Sequence, residues 1–114
     1  MPEIHVVAIL SPKPGKAERL LTLLQPLLQT VQTTEPQTLR YLMLQEPTTS
    51  SSSETTSEQD IVFIEKYASP EANETHVQGE KFQQVFRAIA EEGLLAREMV
   101  LRKGLVVVGG FEGR

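Results

Sequence analysis

Cysteine and tryptophan are absent from the 114 residues of this chain. Without thiols there is no disulfide framework, no thiolate metal site and no cysteine nucleophile. Histidine is scarce: the 2 present, His5 and His76, exclude a multi-histidine metal cage within one chain. Aromatic residues make up 5%, too few for a platform on which bases could stack. Positive charge is in deficit, with 11 Lys and Arg against 15 Asp and Glu and a net charge of −4. That balance carries no electrostatic footprint for nucleic acid. Long hydrophobic runs are missing too: Val6 to Leu10 falls far short of the ~18 apolar residues of a membrane-spanning helix. The start, Met1-Pro2-Glu3-Ile4-His5, lacks the basic and apolar regions of a secretory signal, so the expected setting is the cytoplasm, away from membranes. With no Gly-x-Gly-x-x-Gly fingerprint, no Cys and no metal-ligand cluster, no flavin, haem or metal cofactor is expected.

What is present suits one domain over residues 1–114, with 39% hydrophobic residues to build a core. Ile4 to Leu10 is apolar at nearly every position and rich in β-branched residues, which predicts a strand covered on both faces. Ser11-Pro12-Lys13-Pro14-Gly15 ends it. From Lys16 to about Thr33 the apolar residues Ala17, Leu20, Leu21, Leu24, Leu27, Leu28 and Val31 recur at helical spacing. Pro26 lies inside that run and predicts a kink or a short break. Glu35-Pro36-Gln37 is a turn. A strand follows from Leu39 to Gln45, with Leu39, Tyr41 and Met43 on one face.

The stretch from Glu46 to Gln59 holds no apolar residue except Pro47 and is dense in Ser and Thr. It is expected to be a mobile hairpin loop, a tolerated insertion or a lid, in which Thr48 to Ser57 are dispensable for folding. Asp60 to Tyr67 forms the third strand, with Ile61, Phe63, Glu65 and Tyr67 on one face. Ser69-Pro70 opens a helix that loosens at Gly79 and resumes from Glu80 to about Ala90. Gly93 caps it, and Glu98 to Val108 is the fourth strand.

The order strand, helix, strand, strand, helix pair, strand is a split βαβ. It predicts an α+β, ferredoxin-like fold with a four-stranded antiparallel sheet and helices on one face. The first and fourth strands are apolar on both sides, yet the helices can cover only one. A second copy of the sheet is the economical cover, which predicts a homodimer.

Several pieces together resemble the antibiotic biosynthesis monooxygenase family. They are Val6-Val7-Ala8-Ile9-Leu10 leading to Lys13-Pro14-Gly15-Lys16, the Glu35-Pro36 turn before Leu39-Arg40-Tyr41, Phe63-Ile64-Glu65-Lys66-Tyr67, and His76 followed by Phe82. The resemblance implies a dimeric α+β barrel. It also implies small-molecule chemistry in secondary metabolism, above all oxygenation of aromatic polyketides or quinols without metal or flavin. The family's haem degraders resemble the chain least. His76 matches their helix histidine, but Tyr67 stands about where their tryptophan falls and Ala8 about where their asparagine falls.

His76 is the candidate base, because a phenol or enol must lose a proton before it can pass an electron to O2. Tyr41 and Tyr67 are candidate donors to a substrate carbonyl. Glu65, on the Tyr67 side of its strand, needs a partner such as Arg40 or Lys103 if that side is buried. Phe63, Phe82, Phe86, Met99 and Leu101 are expected to wall an apolar pocket for a small aromatic or quinone-like ligand, and Glu65 and His5, the latter near the edge of the first strand, are further substrate-binding candidates. Lys13-Pro14-Gly15-Lys16 lacks the spacing of a phosphate loop. A non-oxidative isomerase or cyclase on the same base, or a non-catalytic dimeric binding protein, are the competing readings, since fold does not fix function.

Overall fold

The computed structural model describes residues 2–46 and 59–114. Along the chain run β1 (Ile4–Leu10), α1 (Ala17–Thr34), β2 (Thr38–Gln45), β3 (Ile61–Tyr67), α2 (Pro70–Gln78), α3 (Glu80–Glu92) and β4 (Val100–Leu105). The strands form one 4-stranded sheet in the order β2-β3-β1-β4. Every neighbouring pair is antiparallel, as the split βαβ requires. The expectation for Thr48 to Ser57 lies outside the described residues.

Alternation sets the inner face of the sheet. Ile4, Val6, Ala8 and Leu10 of β1 are buried, as are Ile61, Phe63, Glu65 and Tyr67 of β3. Leu20, Leu24, Leu27 and Val31 of α1 and Val85 and Ile89 of α3 pack on that face. Burying one Leu or Ile side chain stabilises the fold by about 1.5–3 kcal/mol.

Three local expectations need correction. Helix α1 runs through Pro26 without the short break. Pro26 lies on the exposed side of the helix, where water can satisfy the carbonyl that its missing N–H leaves free. Within the single chain the helices cover one face of β1, and His5, Val7 and Ile9 on the other stay partly exposed, the face for which a second copy is the expected cover. In β2, a register shift between Thr38 and Arg40 turns Leu39 outward, 48% exposed, while Tyr41 and Met43 pack on the core. Strand β4 is shorter than Glu98 to Val108: Gly104 adopts φ 71, and pairing ends at Leu105. Val107 and Val108 follow as exposed chain outside any strand.

Helix α2 is short, and its start is well specified. The Ser69 hydroxyl accepts from the Ala72 N–H at 3.2 Å, and Pro70 occupies the first turn. At its other end the Gly79 N–H donates to the His76 carbonyl at 3.1 Å. A Cβ on Gly79 would stand 3.2 Å from that oxygen, so the bend between α2 and α3 favours glycine.

Candidate active site

Helix α2 carries His76 into the space between the sheet and α3, where the residue is 2% exposed. Its Nδ1 lies 2.9 and 3.2 Å from the two carboxylate oxygens of Glu35, at the turn between α1 and β2. A carboxylate only accepts, so this contact assigns the neutral-ring proton to Nδ1 and the lone pair to Nε2. Nε2 is buried and has no hydrogen-bond partner among the described residues. Such an atom leaves roughly 1–3 kcal/mol of desolvation unrecovered until a ligand supplies a partner.

Aromatic rings hold the imidazole in place. Tyr41 and Phe82 each meet it edge-on with centroids 5.0 Å away, and Tyr67 lies 5.7 Å away. Phe82 stacks on Phe86 at 4.6 Å, and Tyr41 leans on Phe63 at 5.2 Å. Beside them opens a cavity of about 190 Å³. Of the residues expected from the sequence, it brings together His76, Tyr41, Phe63, Glu65, Phe82, Phe86, Met99 and Leu101.

Two expected residues fall elsewhere. His5 alternates onto the opposite face of β1 and does not line the cavity. Tyr67 is fully buried behind the wall, and its hydroxyl donates to Glu65 Oε1 at 2.6 Å. Tyr67 therefore reaches the site through Glu65. Glu65 itself has no ion pair with Arg40 or Lys103. Arg40 pairs with Glu112 at 3.2 Å, and Lys103 lines the cavity on the β4 side.

Burial governs the ionisation of the site. It pushes the Glu65 carboxyl up to about 7; the Tyr67 hydrogen bond pulls the other way and the charge of Glu35 adds to the rise. The Tyr41 and Tyr67 phenols are pushed well above their ordinary range by burial and by the charge of Glu65, so both remain O–H donors. Burial also lowers the His76 imidazole below its usual 6.5, against the opposing pull of Glu35. The ring is thus neutral at pH 7, with a lone pair free to accept a proton.

Sequence reasoning missed Glu35 and Asn73, and it named Lys103 only as a partner for Glu65, not as part of the cavity wall. Glu35 looked like part of a turn, and its partner lies 41 residues further along the chain. Periodicity places a residue on a face and does not pair it with a distant side chain. Asn73, one turn before His76 on α2, is buried and lines the cavity. Its i, i+3 spacing from His76 was the available signal. Among the described residues no group of three or more His, Asp or Glu could hold a metal ion, and no helix is long and apolar enough to cross a membrane.

Comparisons with known proteins agree with this architecture. A Caulobacter crescentus crystal structure, named as a candidate antibiotic biosynthesis monooxygenase, is 26% identical with a TM-score of 0.78, covering 95% of this chain and 92% of that one. A conserved protein of Methanosarcina mazei shares the fold at 20% identity and a TM-score of 0.75, over 94% of this chain and 95% of its own. A Mycobacterium tuberculosis protein does so at 18% identity and 0.73, over 98% and 99%. The comparison with curated proteins found no match. The family model described as antibiotic biosynthesis monooxygenase matches residues 3–88, from the start of β1 to within α3 and across both Glu35 and His76. The chain belongs to the antibiotic biosynthesis monooxygenase family.

Proposed function

We propose that the protein is a small-molecule tailoring enzyme: a monooxygenase that uses no bound cofactor and acts on an aromatic or quinol-like substrate. One observation carries the reading. The buried Nε2 of His76 has no partner among the described residues beside an apolar cavity, while Nδ1 is held by Glu35. That is the arrangement of a positioned general base. A phenol or enol bound in the cavity gives its proton to Nε2, and the resulting anion reduces O2. Glu35 stabilises the imidazolium that forms. Tyr41, whose hydroxyl has no hydrogen bond to a described residue, is placed to donate to a substrate oxygen.

Size narrows the substrate. A dry cavity of about 150 Å³ holds one benzene ring, so the 190 Å³ here suits one ring, or two fused rings with an edge in the mouth. A fully packed interior would have favoured a non-catalytic binding protein.

The test is O2 uptake with a panel of substituted hydroquinones and bicyclic phenols. The wild type is expected to consume O2 with at least one member. His76→Ala is expected to lower turnover by roughly 10²–10⁴-fold with little change in affinity, and His76→Gln to be nearly as inactive. A fully active His76→Ala protein would return His76 to a structural role.

A further inference from the structure

Glu65 is buried, lines the same cavity as His76 and has no cation within ion-pairing distance among the described residues. Its two oxygens differ. Oε1 accepts the Tyr67 hydroxyl at 2.6 Å. A proton on this carboxyl therefore belongs on Oε2, for which no described residue provides a hydrogen bond. The cavity thus has two unspent polar atoms of opposite character: the Nε2 lone pair of His76 and the Oε2 of Glu65.

We propose that Glu65 is a catalytic proton donor. Its Oε2–H protonates a carbonyl oxygen of a bound ketone while His76 Nε2 takes a proton from the adjacent carbon. The inference rests on the reading of His76 as the base, and it adds an activity that needs no O2: keto–enol tautomerisation of a small aromatic ketone. The C–H bond breaks and its electron pair becomes the C=C bond. The carbonyl π pair moves to oxygen and takes the Glu65 proton. The site is left as imidazolium and carboxylate and resets when the proton on His76 is exchanged back to Glu65 through water. No electron leaves the substrate, so no oxidant or cofactor enters the balance.

The groups around the carboxyl favour its neutral form. Tyr67 approaches from its own strand, Tyr41 from β2, Glu35 from the turn after α1, His76 and Glu74 from α2, and Lys103 from β4. The tyrosines stay uncharged, Glu35 repels a second negative charge, and Lys103 is exposed and outside ion-pairing distance. Burial in this setting keeps much of Glu65 protonated near neutrality, as its value of about 7 reflects. A buried carboxylic acid that donates to a substrate oxygen is established chemistry on other folds.

The experiment uses 2-indanone, a bicyclic aromatic ketone, incubated with the whole protein in D2O under nitrogen. Exchange of its CH2 protons is followed by NMR. The wild type should accelerate exchange, with a rate that falls on the alkaline side as Glu65 ionises near pH 7. Glu65→Gln should slow exchange roughly 10²-fold and lose that alkaline limb. Should Glu65→Gln fail to fold, Tyr67→Phe decides. The Tyr67 bond lowers the Glu65 pKa, so its removal should move the alkaline limb to higher pH. Absence of exchange in the wild type, a wild-type profile without the alkaline limb, or a Tyr67→Phe limb that does not move overturns the proposal. Exchange without O2 uptake from any phenol removes the oxygenase reading and leaves this one standing; O2 uptake without exchange does the reverse.

Discussion

His76 and Glu65 are buried ionisable side chains whose burial disfavours the charged form of each and so tilts stability with pH in opposite directions. For Glu65 the folded pKa, about 7, stands above the unfolded value near 4.5. The native state then holds more protons than the unfolded chain between those values, so stability falls as pH rises through that window. The full effect is on the order of 3 kcal/mol, reached once pH exceeds the folded value. His76 runs the other way. Its pKa is lowered on folding, so its contribution is lost as pH falls through 6.5, where the unfolded ring takes up a proton. The two slopes oppose each other in the wild type. Comparing wild type with Glu65→Gln by urea unfolding at pH 5 and pH 8 isolates the carboxyl: the variant should gain relative to wild type at the higher pH.

Glu35 makes a separate prediction. Its carboxylate fixes the proton on Nδ1 and favours the imidazolium. Glu35→Gln keeps the shape, can donate as well as accept, and removes the charge. In ¹⁵N spectra of the ring nitrogens, the His76 pKa should fall further and the Nδ1-protonated tautomer should lose its dominance. Unchanged spectra would show that the contact positions nothing.

The elements were legible in the sequence where one period dominated. The heptad-like apolar stripe of α1 and the alternation of β3 gave both type and face, and Ser69-Pro70 gave the start of α2. His76 could be singled out because its helix held little else able to move a proton at neutral pH. What could not be read was relational. The outward turn of Leu39 arises from a register shift against β3, and the end of β4 from the backbone of Gly104. His5 was misplaced because β1 is apolar on both sides, which erases the signal for which side is inner. Tyr67 was assigned to the correct face, but its contact with Glu65, two positions away on the same strand, required the coordinates.

Pro26 tests the same point at the level of a helix. It sits on the exposed side of an unbroken α1, and Pro26→Ala restores one backbone hydrogen bond without touching the core. The substitution should raise stability by up to about 3 kcal/mol in helix propensity, offset by ~0.4–1 kcal/mol of regained unfolded-chain entropy. Thermal unfolding of the variant checks this, and a lower melting temperature would mean that the proline serves packing.

Across the whole molecule, the helices cover one face of the sheet and leave the other open. Leu42, Leu44 and Val100 are 50%, 47% and 41% exposed there. Beyond β4 the tail presents Val107, Val108 and Phe111 at 71–96% exposure, and Arg40 holds it through Glu112. An apolar face of this kind is unusual for a lone chain. A second copy packing sheet to sheet is the proposed cover, and sedimentation at micromolar concentration should show a homodimer. A monomer would leave the proposal without support.

Strand β4 lies at the edge of the sheet, with β1 as its one strand neighbour among the described residues. From the last two residues of β4 onward the chain reads Gly104-Leu105-Val106-Val107-Val108, a run with the composition of a self-associating segment. Arg102 and Lys103 precede that run and are exposed. They act as gatekeepers: two like charges would be brought close together whenever the edges of two nascent chains met in register. The short charged stretch of β4 thus guards the chain against fibrillar association during the interval before its apolar neighbours find their cover.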